Sequence, residues 1–159
     1  MKITFICVGG IKSAYVKDGV NEYMKRIRRY APVDAVETRE TVSSLKMPRA
    51  DLLRDEGERI VKKIKACRGR GYLVALDERG ASFSTSGFAE FIGRLMSGGK
   101  SGISFVVGGA YGLHEDVIGL CDTTLSLSAM TLPHELARLV LAEQVYRAFT
   151  ILKGTPYSH

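Results

Sequence analysis

Five short strand-like runs, the second of them weaker, spaced so that a helix fits between successive ones, constrain the fold of this chain more than any other feature. They are Lys2–Val8 (KITFICV), Val33–Thr38, Tyr72–Leu76 (YLVAL), Ile103–Val107 and Thr123–Leu127. Runs this short, rich in β-branched and aromatic residues and bounded by turn formers, read as buried strands. Strand–helix alternation repeated along the chain predicts an α/β fold with a mainly parallel sheet and helices on both faces. With 159 residues, no internal repeat and no long linker, one domain spanning 1–159 is expected.

The helices follow from spacing and punctuation. The first is expected from about Lys12, with Ser13 as N-cap and Tyr15, Val16, Val20, Tyr23, Met24 and Ile27 on its apolar side. It ends in KRIRRY (25–30), which is open to two readings. Cations there favour the C-terminal dipole; alternatively they form a phosphate-facing patch with an aromatic edge. Pro48 opens a second helix reaching about Lys65, with Lys62, Lys63 and Lys65 solvated. Ser84 or Ser86 caps a third helix running to about Met96, and a short one follows His114. Pro133 opens the last, 133–153, whose apolar residues cover more than one face. That width predicts burial on the sheet and against a second protomer. The remaining residues, 154–159, are expected to leave the fold as a polar arm.

Ser104–Pro133 is the stretch expected to bind a ligand. Its two strands break off into Gly108-Gly109-Ala110-Tyr111-Gly112 and into Ser126–Pro133. Strands that end in small residues let a ligand lie against bare backbone. In parallel sheets, ligands sit beyond the C-terminal strand ends, where these turns fall. Asp77-Glu78-Arg79-Gly80, after the third strand, reads instead as a solvated tip. Ser97-Gly98-Gly99-Lys100-Ser101-Gly102 precedes a strand, whereas a phosphate loop must follow one.

Composition narrows the class. No apolar run approaches the ~20 residues of a membrane span, and the first strand is too short for a signal core, so a cytoplasmic protein is expected. Cys7, Cys67 and Cys121 fit reduced core thiols, and His114, His134 and His159 show no metal-ligand spacing. The formal charge of +6 is a modest pointer to a polyanionic partner. A dinucleotide site would need GxGxxG after the first strand, and only Gly9-Gly10 stands there.

FVVGGAYGLH (105–114), LSLSAMTLPHELARLVLAEQVYRA (125–148), the final PYSH, the opening KITFICVG and LDERG (76–80) are similar to the ribosomal RNA large-subunit methyltransferase H family. The resemblance spans nearly the whole chain and is weakest from about 39 to 58. It implies a SPOUT-type fold with a C-terminal trefoil knot. It also implies methylation of N3 of a pseudouridine in 23S ribosomal RNA, with S-adenosylmethionine as methyl donor; the homodimer expected from the last helix would combine two basic surfaces on that RNA. Carried over by position, the donor site comprises Leu76, Gly108, Leu127, Ser128, Ala129, Met130, Thr131 and Leu132. Tyr157, His159 and Arg147 are the candidates for catalysis.

Three departures stand out: Gly10 and Ala129 replace frequent lysines, and the usual Tyr-His-basic tail becomes Tyr157-Ser158-His159. For Arg147 the competing role is an i,i+4 pair with Glu143. His134 and His114 are expected to shape the starts of their helices. Two other functions fit parts of the pattern: a non-catalytic RNA-binding protein of the same fold, and a nucleotide-binding α/β regulator.

Overall fold

The computed structural model describes residues 1–41, 47–67 and 71–157. Its elements are β1 (Lys2–Val8), α1 (Ala14–Ile27), β2 (Val33–Thr38), α2 (Arg49–Cys67), β3 (Tyr72–Ser82), α3 (Thr85–Ser97), β4 (Gly102–Val107), α4 (Glu115–Leu120), β5 (Thr123–Ser126) and α5 (His134–Leu152). The strands form one sheet in the order β2-β1-β4-β3-β5, and each described strand pair is parallel.

Alternation along the strands divides the core in two. Ile3, Phe5 and Cys7 of β1 join Ile103, Phe105 and Val107 of β4 and Val74 of β3 on the face covered by α1, α3 and α5. Ile6, Val8, Leu73, Ala75 and Val106 point the other way, onto Ile60 and Ile64 of α2 and Val117 of α4. The period of two therefore makes each central strand serve both layers, which is why these runs are almost continuously apolar. Phe5 and Phe105 stack across the sheet centre with ring centroids 5.9 Å apart. Burial near the C-terminal end of β1 pushes the Cys7 thiol up to about 11.

Local signals acted as their chemistry requires at several helix starts. Ser84 is the N-cap of α3, its hydroxyl accepting from the Gly87 N–H at 3.1 Å. His114 caps α4 through Nδ1, which accepts from the Asp116 N–H at 3.2 Å. Ser13 occupies the cap position of α1 without a side-chain cap bond. There the Glu135 carboxylate at the start of α5 accepts from the Lys12 and Ser13 N–H groups, at 2.9 and 3.1 Å. Arg138, one turn further along α5, is buried, and its Nη2 donates to the Val8 and Gly9 carbonyls at the end of β1.

Three expectations are corrected. β3 does not end at Leu76: it leaves the ladder for four residues and returns, so that Ala81 and Ser82 pair with Leu125 and Ser126 of β5. β5 ends at Ser126 rather than Leu127. The tail does not leave as an arm. Gly154 reverses the chain at φ +64°, and Thr155 N–H and Oγ1 bond the Thr150 carbonyl at 2.9 and 3.1 Å. Tyr157 then lies against Tyr146, 4.6 Å between ring centroids, because α1 and α5 leave an aromatic surface for it.

Candidate functional site

The neighbouring strands β4, β3 and β5 end on the same side of the sheet, and a cleft of about 950 Å³ opens beyond them. Three segments wall it: the excursion within β3, the glycine turn after β4, and the turn between β5 and α5. Each is shaped by backbone geometry. In the glycine turn, Gly112 N–H bonds the Gly109 carbonyl at 3.1 Å and Gly112 adopts φ +86°, the left-handed region open to glycine. The turn folds so closely on itself that a Cβ at Gly108 would stand 2.2 Å from the Gly112 carbonyl oxygen. In the turn after β5, Ser126 Oγ donates to the Ser128 carbonyl and Ser128 Oγ accepts from the Met130 N–H, both at 3.0 Å. Both serine hydroxyls are thus engaged in holding their own turn.

Gly80 returns the β3 excursion to the ladder, where a Cβ would come within 2.7 Å of Leu125 backbone. The excursion carries Asp77 and Arg79, which form a bidentate pair at 2.9 and 3.1 Å; Arg79 also reaches Glu115 of α4 at 3.1 Å. The Arg79 hydrogen bonds hold the Asp77 carboxyl below its ordinary range. Asp77, Glu78, Arg79 and Glu115 all line the cleft, which corrects the solvated-tip reading of this segment. A usable signal was present, since the excursion follows a parallel strand's C-terminal end like the two turns singled out.

Of the residues assigned to donor binding, Leu76, Gly108, Leu127, Ser128, Met130, Thr131 and Leu132 come together along this cleft. Ala129 is exposed on the same turn and is not part of the lining. The residues assigned to catalysis lie elsewhere. Arg147 sits 4.8 Å over the Tyr157 ring and pairs with Glu143 at 2.6 Å, so the i,i+4 contact is made. Tyr157 OH is 3.3 Å from Tyr23 OH, and burial with that contact pushes it up to about 12. Neither residue lines the cleft of its own chain, and His159 lies outside the described residues. His134 opens α5 and lines the cleft mouth.

The basic stretch at the end of α1 is split by structure. Lys25, Arg28 and Arg29 are exposed, whereas Arg26 is half-buried, paired with Glu22 at 2.8 Å and packed over the Tyr23 and Tyr146 rings. No group of three or more metal-ligating side chains occurs among the described residues, and no described helix is long and apolar enough to cross a membrane.

Residues 1–159 match the model of a family described as predicted SPOUT methyltransferase. Proteins called ribosomal RNA large subunit methyltransferase H are similar over 99% of this chain and 99% of their own length. The one from Acetivibrio thermocellus is 41% identical, that from Lysinibacillus sphaericus 42% and that from Limosilactobacillus fermentum 44%. A crystal structure of a probable methyltransferase from Bordetella pertussis superposes with a TM-score of 0.58 over 92% of this chain and 95% of that one. At 17% identity, that likeness speaks to the fold alone.

Proposed function

The chain belongs to the SPOUT methyltransferase family, and from that premise we propose that it methylates N3 of a pseudouridine in 23S ribosomal RNA, using S-adenosylmethionine. The observation that carries this reading is the cleft at the ends of β3, β4 and β5, in a chain similar end to end to ribosomal RNA methyltransferases. We read 1–159 as one domain, cytoplasmic, with a trefoil knot at its C-terminal half.

The cleft suits the proposed donor. Its volume lies within the range typical of small-molecule sites. Leu76, Leu127 and Leu132 offer apolar contact for an adenine, and Gly108 keeps the turn backbone within reach. Ser128, Met130 and Thr131 belong to the same wall, and Ala129 would act through its backbone alone. The Asp77 and Glu115 carboxylates, which share the single Arg79 guanidinium and keep one net negative charge, fit ribose or amino groups at the mouth.

The bound donor supplies an electrophilic methyl group on a sulfonium; the protein positions the acceptor and assists loss of its imide proton. Because Tyr157 and Arg147 pack away from the cleft of their own chain, we read the tail as serving the cleft of a second copy in a homodimer. Support comes from α5, where Leu136, Leu139 and Val140 remain only partly buried while Leu141, Val145 and Phe149 fill the core. There Tyr157 would stack on a splayed base, Arg147 would orient it, and His159 would bind or take a proton.

Calorimetric titration with S-adenosylmethionine and then NAD, followed by transfer of labelled methyl groups to unmethylated large ribosomal subunits, tests the proposal. Donor binding with label in 23S RNA is expected. Donor binding without transfer would favour a non-catalytic RNA-binding protein, and NAD binding a nucleotide-responsive regulator.

A further inference from the structure

Behind the glycine turn lies a second cavity of about 300 Å³, lined by Lys12, Glu40, Thr41, Leu52, Glu56, Ala110 and Tyr111. Ala110 and Tyr111 line the large cleft as well, so the turn is the wall between the two. Glu56 comes from α2 and is only 4% exposed. Its Oε1 accepts from the Thr41 N–H at 3.1 Å. Its Oε2 is buried and has no hydrogen-bond partner among the described residues, lying beside Gly109, where a Cβ would approach it to 2.9 Å. A buried carboxyl oxygen without a donor is costly and marks a place where a donor is wanted. Desolvation accordingly raises the Glu56 carboxyl above its ordinary range.

The other walls narrow the class of donor. Thr41 Oγ1 is already held, donating to Asp55 at 2.7 Å and accepting from Arg59 at 2.9 Å. Glu40 is paired with Lys12 at 2.8 Å. Tyr111, 45% exposed, offers an aromatic edge at the rim, with the Arg49 guanidinium 5.1 Å from its ring. Lys12 and Arg49 are exposed cations beside the opening. An acceptor within, an aromatic wall and cations at the rim together match a nucleotide: N–H edge inward, base face on tyrosine, phosphate outward.

The geometry points to this second cavity as a subsite for a nucleobase of the substrate RNA, read by Glu56 Oε2 through a base N–H. It rests on the RNA methyltransferase reading above. The base it takes is a neighbour of the reacting one. Methyl transfer requires the reacting atoms ~3–3.5 Å apart, and the Ala110–Tyr111 wall stands between this cavity and the donor cleft. Seating a neighbour here would fix the strand so that the reacting base faces the cleft.

Glu56→Gln tests this, since it keeps the size and, with its oxygen on the Thr41 N–H, puts an NH₂ donor opposite the base N–H. The expected result is an RNA KM raised about tenfold or more, with kcat, donor affinity and melting temperature close to wild type. Unchanged KM would overturn the subsite, and so would a parallel loss of donor affinity or melting temperature, which would make Glu56 a structural support of the turn. A wild-type measurement stands beside it: the Thr41 and Gly109 amide resonances should shift saturably with uridine or guanosine monophosphate while donor is bound. No shift with either nucleotide would also overturn it. A wild-type protein that binds no donor or transfers no methyl group defeats the earlier reading instead.

Discussion

Gly108→Ala is the sharpest test of how the donor cleft is built. The sequence alone suggests that a side chain here would fill the ligand space and leave the fold intact. The structure points the added methyl elsewhere, 2.2 Å from the Gly112 carbonyl oxygen and 2.4 Å from its carbon. Ordinary contact lies near ~3.5 Å, so the two arms of the turn must part by more than about 1 Å. Overpacking of this kind costs about 1–3 kcal/mol, which in a chain of this size lowers Tm by roughly 2–12 °C. The same displacement moves Gly109, Ala110 and Tyr111 in the cleft wall, and ~1 Å misplacements are enough to cost ~100-fold in function. Calorimetry on the variant should therefore show lowered Tm together with donor affinity weakened by at least about tenfold. Gly112→Ala is the control with open space around its Cβ, where only the φ of +86° is strained, at about 1–2 kcal/mol. A Gly108→Ala protein with wild-type Tm and donor affinity would refute this account of the turn.

Three further outcomes are expected. Tyr157→Ala should lower Tm by roughly 2–12 °C in scanning calorimetry, because the Tyr146 ring pair and the Arg147 cation contact are each worth about 0.5–1.5 kcal/mol; Tyr157→Phe should keep most of it. Charge reversal at Arg28 and Arg29, which leaves the packed Arg26 alone, should flatten the salt dependence of RNA association measured by filter binding. The log–log slope should fall by ~0.7–0.9 for each phosphate that the protein no longer neutralises. For Cys7 the folded-state thiol is raised, so the native state holds its proton more tightly than the unfolded chain. Its contribution is full below about pH 9 and is lost as pH rises through about 11. The stability difference between wild type and Cys7→Ala, followed by urea denaturation, should shrink across that window, and a constant difference would contradict it.

Local patterning determined the elements of this protein. Strands appear where β-branched and aromatic residues run together, and their period of two already encodes two core faces, as Ile3–Phe5–Cys7 against Ile6–Val8 shows. Glycine and serine turns after parallel strands marked the edge where a cleft would open, because that inference needs only strand direction. Three features were decided by tertiary structure. Asp77 and Arg79 follow a strand's C-terminal end, which sequence can show, but they took their place in the cleft wall only when β3 rejoined β5, a strand that begins at Thr123. Glu56 looks like any solvated helix carboxylate in sequence, and its burial follows from how α2 packs beneath the glycine turn. The tail folded back because Tyr23, Tyr30 and Tyr146, brought together by two distant helices, form one aromatic surface. Each depends on side chains far apart in sequence meeting in space, and local periodicity carries no information about such meetings.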